Sequence, residues 1–111
     1  MRMSVEKLPA VAQEFLETSV VPAAKGINNL AGYGIGLLGS YTIGAYAKQL
    51  PQWLPKLQAV GLVDENKTID IDQLHAEAVK WFEKVPFDVM GFKPEKEDFD
   101  RLRDIMNKYG G

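Results

Sequence analysis

Apolar side chains recur every three or four positions along most of this chain, the spacing of one helical face. Val5, Leu8, Val11, Ala12, Phe15 and Leu16 make the first such face. Ser4 is placed to cap it and Glu6 suits its first turn. Pro22 steers Val21 away from helix, which predicts an end near Val20. A second helical stretch is expected over residues 27–50. A third, short one starts at Pro51, with Trp53, Leu54, Leu57 and Val60 on one face and Gly61 as the stop, and Pro55 keeps it short. Ile71, Leu74, Ala78, Trp81, Phe82 and Val85 form a fourth stripe, capped by Asp70 or Asp72 and ended by Pro86. Phe99, Leu102, Ile105, Met106 and Tyr109 form a fifth, opened by Pro94 and closed by Gly110 and Gly111.

Two segments alternate instead. Ile69 and Ile71 point one way and Thr68, Asp70 and Asp72 the other, which predicts a strand of about four residues. Residues 86–93 read as a second short strand, with Phe87, Val89 and Met90 inward. A pair this small is marginal unless helices cover it. The expected fold is mainly α: a compact domain of about five helices with a minimal two-stranded β element in the C-terminal half.

At 111 residues the chain is long enough for a single domain, 1–111. Its net charge of −2 hides a split. Residues 1–61 carry five basic and three acidic side chains, and residues 62–111 carry eight and twelve. The two are subregions, one Gly-rich and weakly charged, one acidic, since neither alone can bury a good core. A balanced charge is ill suited to gripping phosphates, so no nucleic-acid partner is expected. The absence of Cys excludes disulfides, thiolate metal sites and a cysteine nucleophile. Charges interrupt the N-terminal apolar run where a secretory leader would need continuity, and cytoplasmic origin is the default.

The 22 residues between Lys25 and Lys48 carry no charge, and five of the ten glycines fall within residues 32–44. Gly32, Gly36, Ser40 and Gly44 fall four apart, a ridge along which another helix could approach closely. Each helical glycine costs about 0.8–1 kcal/mol relative to Ala, so five cost roughly 4–5 kcal/mol, a large share of a small domain's stability. Tight packing must offset that, within one chain or between copies, or the segment is not continuous helix. The run could also insert into a membrane over residues 27–47, though its Asn, Ser, Thr, Tyr and Gly make it thin for that. Gly34-Ile-Gly36-Leu-Leu-Gly39 spells a phosphate-loop pattern, but no strand precedes it and no acidic residue follows for the ribose.

The acidic turn from Asp64 is a poor calcium loop. Its sixth position is Ile69 and its twelfth is His75, where Gly and Glu are required. His75 lies off its helix's apolar stripe, is expected to face solvent and has no second strong ligand beside it. The carboxylates at 95–104 suit a helix start and pairing with Arg101 and Arg103. No catalytic residue, cofactor site or metal site is therefore expected. Trp53, Trp81 and Tyr109 sit on apolar stripes, with Trp53, on a Pro-flanked helix, the aromatic best placed for a partner.

From residue 60 to 108 the chain reads Gly-Leu-Val-Asp-Glu, then Ile69-Asp70-Ile71-Asp72, Met90-Gly91-Phe92 and Asp98-Phe99-Asp100-Arg101-Leu102. This stretch resembles small uncharacterised proteins carried in prophages, mainly of Gram-positive bacteria. The resemblance implies a virion assembly piece or a protein that binds a host or phage factor, in the bacterial cytoplasm or the virion. It implies no catalytic residue and no cofactor. The expected function is a non-enzymatic module that binds a protein partner or itself as a homo-oligomer. Gly32, Gly36, Ser40 and Gly44 would supply the close contact, and Tyr33, Tyr41, Tyr46 and Trp53 the area. The alternatives are membrane insertion through residues 27–47, or a small acidic inhibitor of a basic surface.

Overall fold

The computed structural model describes residues 1–84 and 93–110. Strand β1 (Arg2–Ser4) leads through a 3₁₀ turn (Val5–Lys7) into helix α1 (Leu8–Phe15). A π-helical turn (Leu16–Val20) joins α1 to α2 (Val21–Ile27), and a long helix α3 (Asn29–Ala59) follows. Strand β2 (Thr68–Asp70), α4 (Ile71–Lys84) and α5 (Lys96–Tyr109) complete the order. The fold is mainly α. Because α1, the π turn and α2 run on without a break, the helices among the described residues number four rather than five.

Two proline expectations change. Pro22 does not end the first helix; it sits in the first turn of α2, directly after the π turn, and its missing N–H is tolerated where the ladder shifts. The π turn before it shifts the ladder, with the Val21 N–H reaching the Leu16 carbonyl. Likewise Pro51 and Pro55 lie inside α3, so the stretches expected over 27–50 and beyond Pro51 form one helix of 31 residues. Its end is as expected. Gly61 takes φ +81° and its N–H donates to the Gln58 carbonyl at 3.1 Å. Its start is capped by Asn28, whose Oδ1 accepts the Leu30 N–H at 2.8 Å. Asn28 is also the whole connection between α2 and α3, extended at φ −162°.

The sheet is antiparallel, with Arg2 opposite Asp70, Met3 opposite Ile69 and Ser4 opposite Thr68. The partner of the 68–70 strand is thus the N-terminus; the strand expected over 86–93 falls largely outside the described residues. The strand also stops sooner than the alternation suggests. Ile71 begins α4, and Asp70 Oδ2 accepts the Gln73 N–H at 3.0 Å. Gly110 bridges to Met3 on the other side, so Met3 is 2% exposed.

The core gathers Met3, Val5, Val11, Phe15, Val63, Ile69, Ile71, Leu102, Ile105 and Met106 from both chain ends and the middle. Only the last turns of α3, through Leu54 and Leu57, reach it. The rest of α3 lies against α1, the π turn and α2 as the second arm of a helical hairpin. At about 1.5 Å per residue, 31 residues account for the 44 Å long axis of the molecule. Its radius of gyration of 14.4 Å exceeds the roughly 13 Å expected for a compact chain of this length.

Candidate functional site

The small residues of α3 show how the hairpin closes. Gly32 is buried, and a Cβ there would lie 2.2 Å from Lys25 Cγ and 3.1 Å from the Lys25 backbone. A Cβ on Gly39 would come within 2.7 Å of Leu16 Cδ2, and one on Gly36 would only touch Val21 at 3.5 Å. Gln13 Nε2 donates to Ser40 Oγ at 3.0 Å and to Glu17 Oε1 at 2.9 Å, tying α1 to α3. Gly32, Gly36 and Ser40 therefore face the first arm of the same chain. Gly44 does not; nothing lies within 4 Å of its Cβ position. Gly39, not a member of the four-spaced ridge, makes one of the tightest approaches.

The tyrosines named with that ridge lie elsewhere on α3. Tyr33 and Tyr41 share the outward face with Leu30 and Leu37, and Tyr41 is 79% exposed. Tyr46 and Trp53 stand edge to face with ring centroids 6.1 Å apart, and Trp53 is 49% exposed. Seven of the ten large apolar side chains exposed among the described residues belong to α3. Lone exposed apolar residues are ordinary on a soluble surface, but a set concentrated along one helix with a long uncharged stretch is not.

Beside this face runs a groove of about 620 Å³. Leu8, Val11, Ala12 and Leu16 form its floor. Ile35, Leu38 and Thr42 of α3 make one wall, and Leu74, Ala78 and Trp81 of α4 the other. Thr42 turns its hydroxyl back onto the Leu38 carbonyl at 2.8 Å, so the wall it joins offers carbon. Leu8, Ala12 and Ile43 also line an adjoining recess of about 290 Å³ that ends at Leu50 and Trp53. Trp81, expected in the core from its stripe, is 55% exposed and stands at the groove wall, edge to face with Phe82 at 5.3 Å. Phe82 continues inward to Phe15 at 5.7 Å and Phe99 at 6.1 Å, which anchors that wall to the core.

The polar candidates are engaged in holding the fold. Asp64 Oδ1 accepts the N–H groups of Asn66 (3.0 Å) and Thr68 (2.8 Å), while Oδ2 accepts the Thr68 hydroxyl (2.6 Å) and faces Arg2 Nε (3.3 Å). Those bonds, the Thr68 hydroxyl's first, hold its pKa below the ordinary value. His75 is half-buried rather than solvent-facing. Its Nε2 lies 2.8 Å from the Phe99 carbonyl, which can only accept, so Nε2 donates and Nδ1 accepts from Arg103 Nη2 at 3.3 Å. Arg103 also pairs with Asp72, whose carboxyl it holds below its usual range, first by hydrogen bond and then by charge. Among the described residues no three His, Asp or Glu side chains converge as metal ligands. Nor is any helix among them long and apolar enough to cross a membrane.

Comparison with known protein families, curated proteins and solved structures finds no match to the chain.

Sequence reasoning singled out α3 but missed the groove. A clue was present: Leu8, Ala12 and Leu16 extend the first apolar face sideways, beyond what Val11 and Phe15 need to reach the core. What periodicity could not supply is the position of α4, which turns that spare edge into a floor.

Proposed function

We propose that this protein is a non-enzymatic protein-binding module whose working site is the groove between α3 and α4. The groove itself carries the reading: helical walls over a helical floor, lined by carbon, with room for a row of side chains. That shape suits the apolar face of an amphipathic helix, anchored at positions i, i+3, i+4 and i+7. Trp81 at the rim and the Tyr46–Trp53 pair at the far end are the residue types that dominate such interfaces. The resemblance to prophage-borne proteins supports a setting in virion assembly or in engagement of a host factor.

The test uses a helical peptide with leucines at those four spacings and charged residues elsewhere, titrated while tryptophan fluorescence is read. Saturable binding with a shifted emission is expected. Ala12 is exposed on the groove floor, so Ala12→Glu should weaken binding at least tenfold without unfolding the protein. Equal affinity in that variant, or no binding by the native chain, would sink the proposal.

A further inference from the structure

The outward face of α3 is distinct from the groove. Leu30, Gly34, Leu37, Tyr41, Gly44 and Lys48 are spaced alternately four and three apart, the repeat of a coiled-coil seam. Among the described residues nothing else packs there: a Cβ on Gly34 or Gly44 would meet no atom within 4 Å. These two glycines weaken α3 by about 0.8–1 kcal/mol each without serving the packing of their own chain.

We propose that this seam pairs with the same seam of a second copy, the two α3 helices running antiparallel about a two-fold axis. One register satisfies every seam position. Leu37 lies opposite Tyr41 of the second copy, Gly34 opposite Gly44, and Leu30 against the aliphatic stem of Lys48. The two Gly34–Gly44 layers let the backbones approach on either side of the larger Leu37–Tyr41 layers. Beside the seam, Tyr33 would then lie over Ala45 of the second copy. Parallel pairing would instead put Lys48 against Lys48 and leave the glycines beside their own counterparts. The antiparallel register separates the two lysines by about 27 Å, since 18 residues rise about 1.5 Å each.

Charge and area both permit this partner. None of the 22 residues between Lys25 and Lys48 brings a charge into the interface. Leu30, Tyr33, Leu37 and Tyr41 leave 57–79% of their surfaces in solvent. For side chains of this size that is roughly 600–650 Å² per copy, at the lower end of the ~600–1,000 Å² per partner of a standard interface. A surface that is identical on both partners and complementary to itself is what a two-fold dimer requires. Because the groove is on another side of α3, this pairing and the peptide-binding reading can fail independently.

The chain has no cysteine, so disulfide trapping can read the register directly. Gly34→Cys and Gly44→Cys are made separately, both at positions with open space around them. Mixed under mild oxidation, they are expected to form a covalent heterodimer at least tenfold faster than either variant forms a homodimer. In the proposed register Gly34 is about 15 Å from Gly34 of the second copy, beyond disulfide reach. Sedimentation of the native chain should show a concentration-dependent dimer, and Tyr41→Glu should sediment as a monomer with an unchanged circular dichroism spectrum. A native chain that stays monomeric at several hundred micromolar overturns the proposal. So does equally fast trapping by Gly34→Cys alone, or binding of the native chain to phosphatidylglycerol vesicles through a face that Tyr41→Glu abolishes while the chain remains monomeric.

Discussion

Asp64 organises more backbone than any other side chain described. Its carboxylate closes the turn from residue 64 to 68, accepts the Thr68 hydroxyl and draws in Arg2 from β1. Its pKa is lowered on folding. A carboxyl of that kind stabilises the fold above its unfolded pKa of about 3.9, and the contribution disappears as pH falls through the lower folded value. Asp72, lowered by Arg103, acts in the same direction. Thermal melts of the native chain should therefore lose Tm below about pH 4. Asp64→Asn should melt lower at pH 7 and show a shallower acid slope; identical slopes would rule out this role. From the sequence the same residue looks like the first ligand of a failed calcium loop, because spacing reports which oxygens are near and not what they already bind. His75 was misplaced for a related reason. Periodicity puts it off the apolar stripe and so in solvent, but the Phe99 carbonyl and Arg103 that receive it belong to α5, which its own helix does not announce.

At the scale of elements, α3 is a helix that local propensity argues against. It holds five glycines and two prolines, and the prolines each remove a backbone donor and crowd the preceding turn. Its glycines are not equivalent, and a scan should separate them. Gly34→Ala and Gly44→Ala meet open space and should each stabilise the monomer by about 0.8–1 kcal/mol in urea denaturation. Gly32→Ala should destabilise instead, since the added methyl would collide with Lys25. Like-signed effects at all three sites would contradict the hairpin geometry. Pro51→Ala restores a helical donor and should raise stability by up to about 3 kcal/mol. Where an element's own chemistry agreed with its environment, the sequence was legible: Gly61 ends α3, Ser4 caps the 3₁₀ turn and Asp70 caps α4. Where packing overrides propensity it was not. Pro51 reads as a boundary because nothing local says that α1 on one side of it, and the core reached by Leu54 and Leu57 on the other, will hold the helix together across it.

For the whole molecule, the core sits at one end of a long hairpin. Met3 lies between Ile69 and Gly110, and the Met1 carbonyl accepts the Ile71 N–H at 2.9 Å. Met3→Ala should cost about 2–5 kcal/mol, the range for emptying a fully buried site. Tyr41→Ala, on the far arm and exposed, should leave the isolated monomer's unfolding free energy nearly unchanged. The comparison is read from paired urea titrations at low protein concentration, and equal losses would mean the core extends farther along α3 than the contacts indicate. Mainly α architecture was legible from stripes and caps. The pairing of β1 with β2 was not, since three residues hold too little alternation to announce a strand and their partner lies more than sixty positions away.

That meeting of distant segments sets an order of events during synthesis. Met3 leaves the ribosome before either neighbour that buries it, and Gly110 follows it by more than a hundred residues. The hairpin of α1, the π turn, α2 and α3 can close while translation continues, because its contacts are close in sequence. The core cannot. Until α5 has emerged, Val11 and Phe15 have only part of their packing, and the nascent chain shows carbon to whatever surrounds it. Consolidation of this core is thus deferred to α5, and a truncation before Leu102 should yield a hairpin without a settled core.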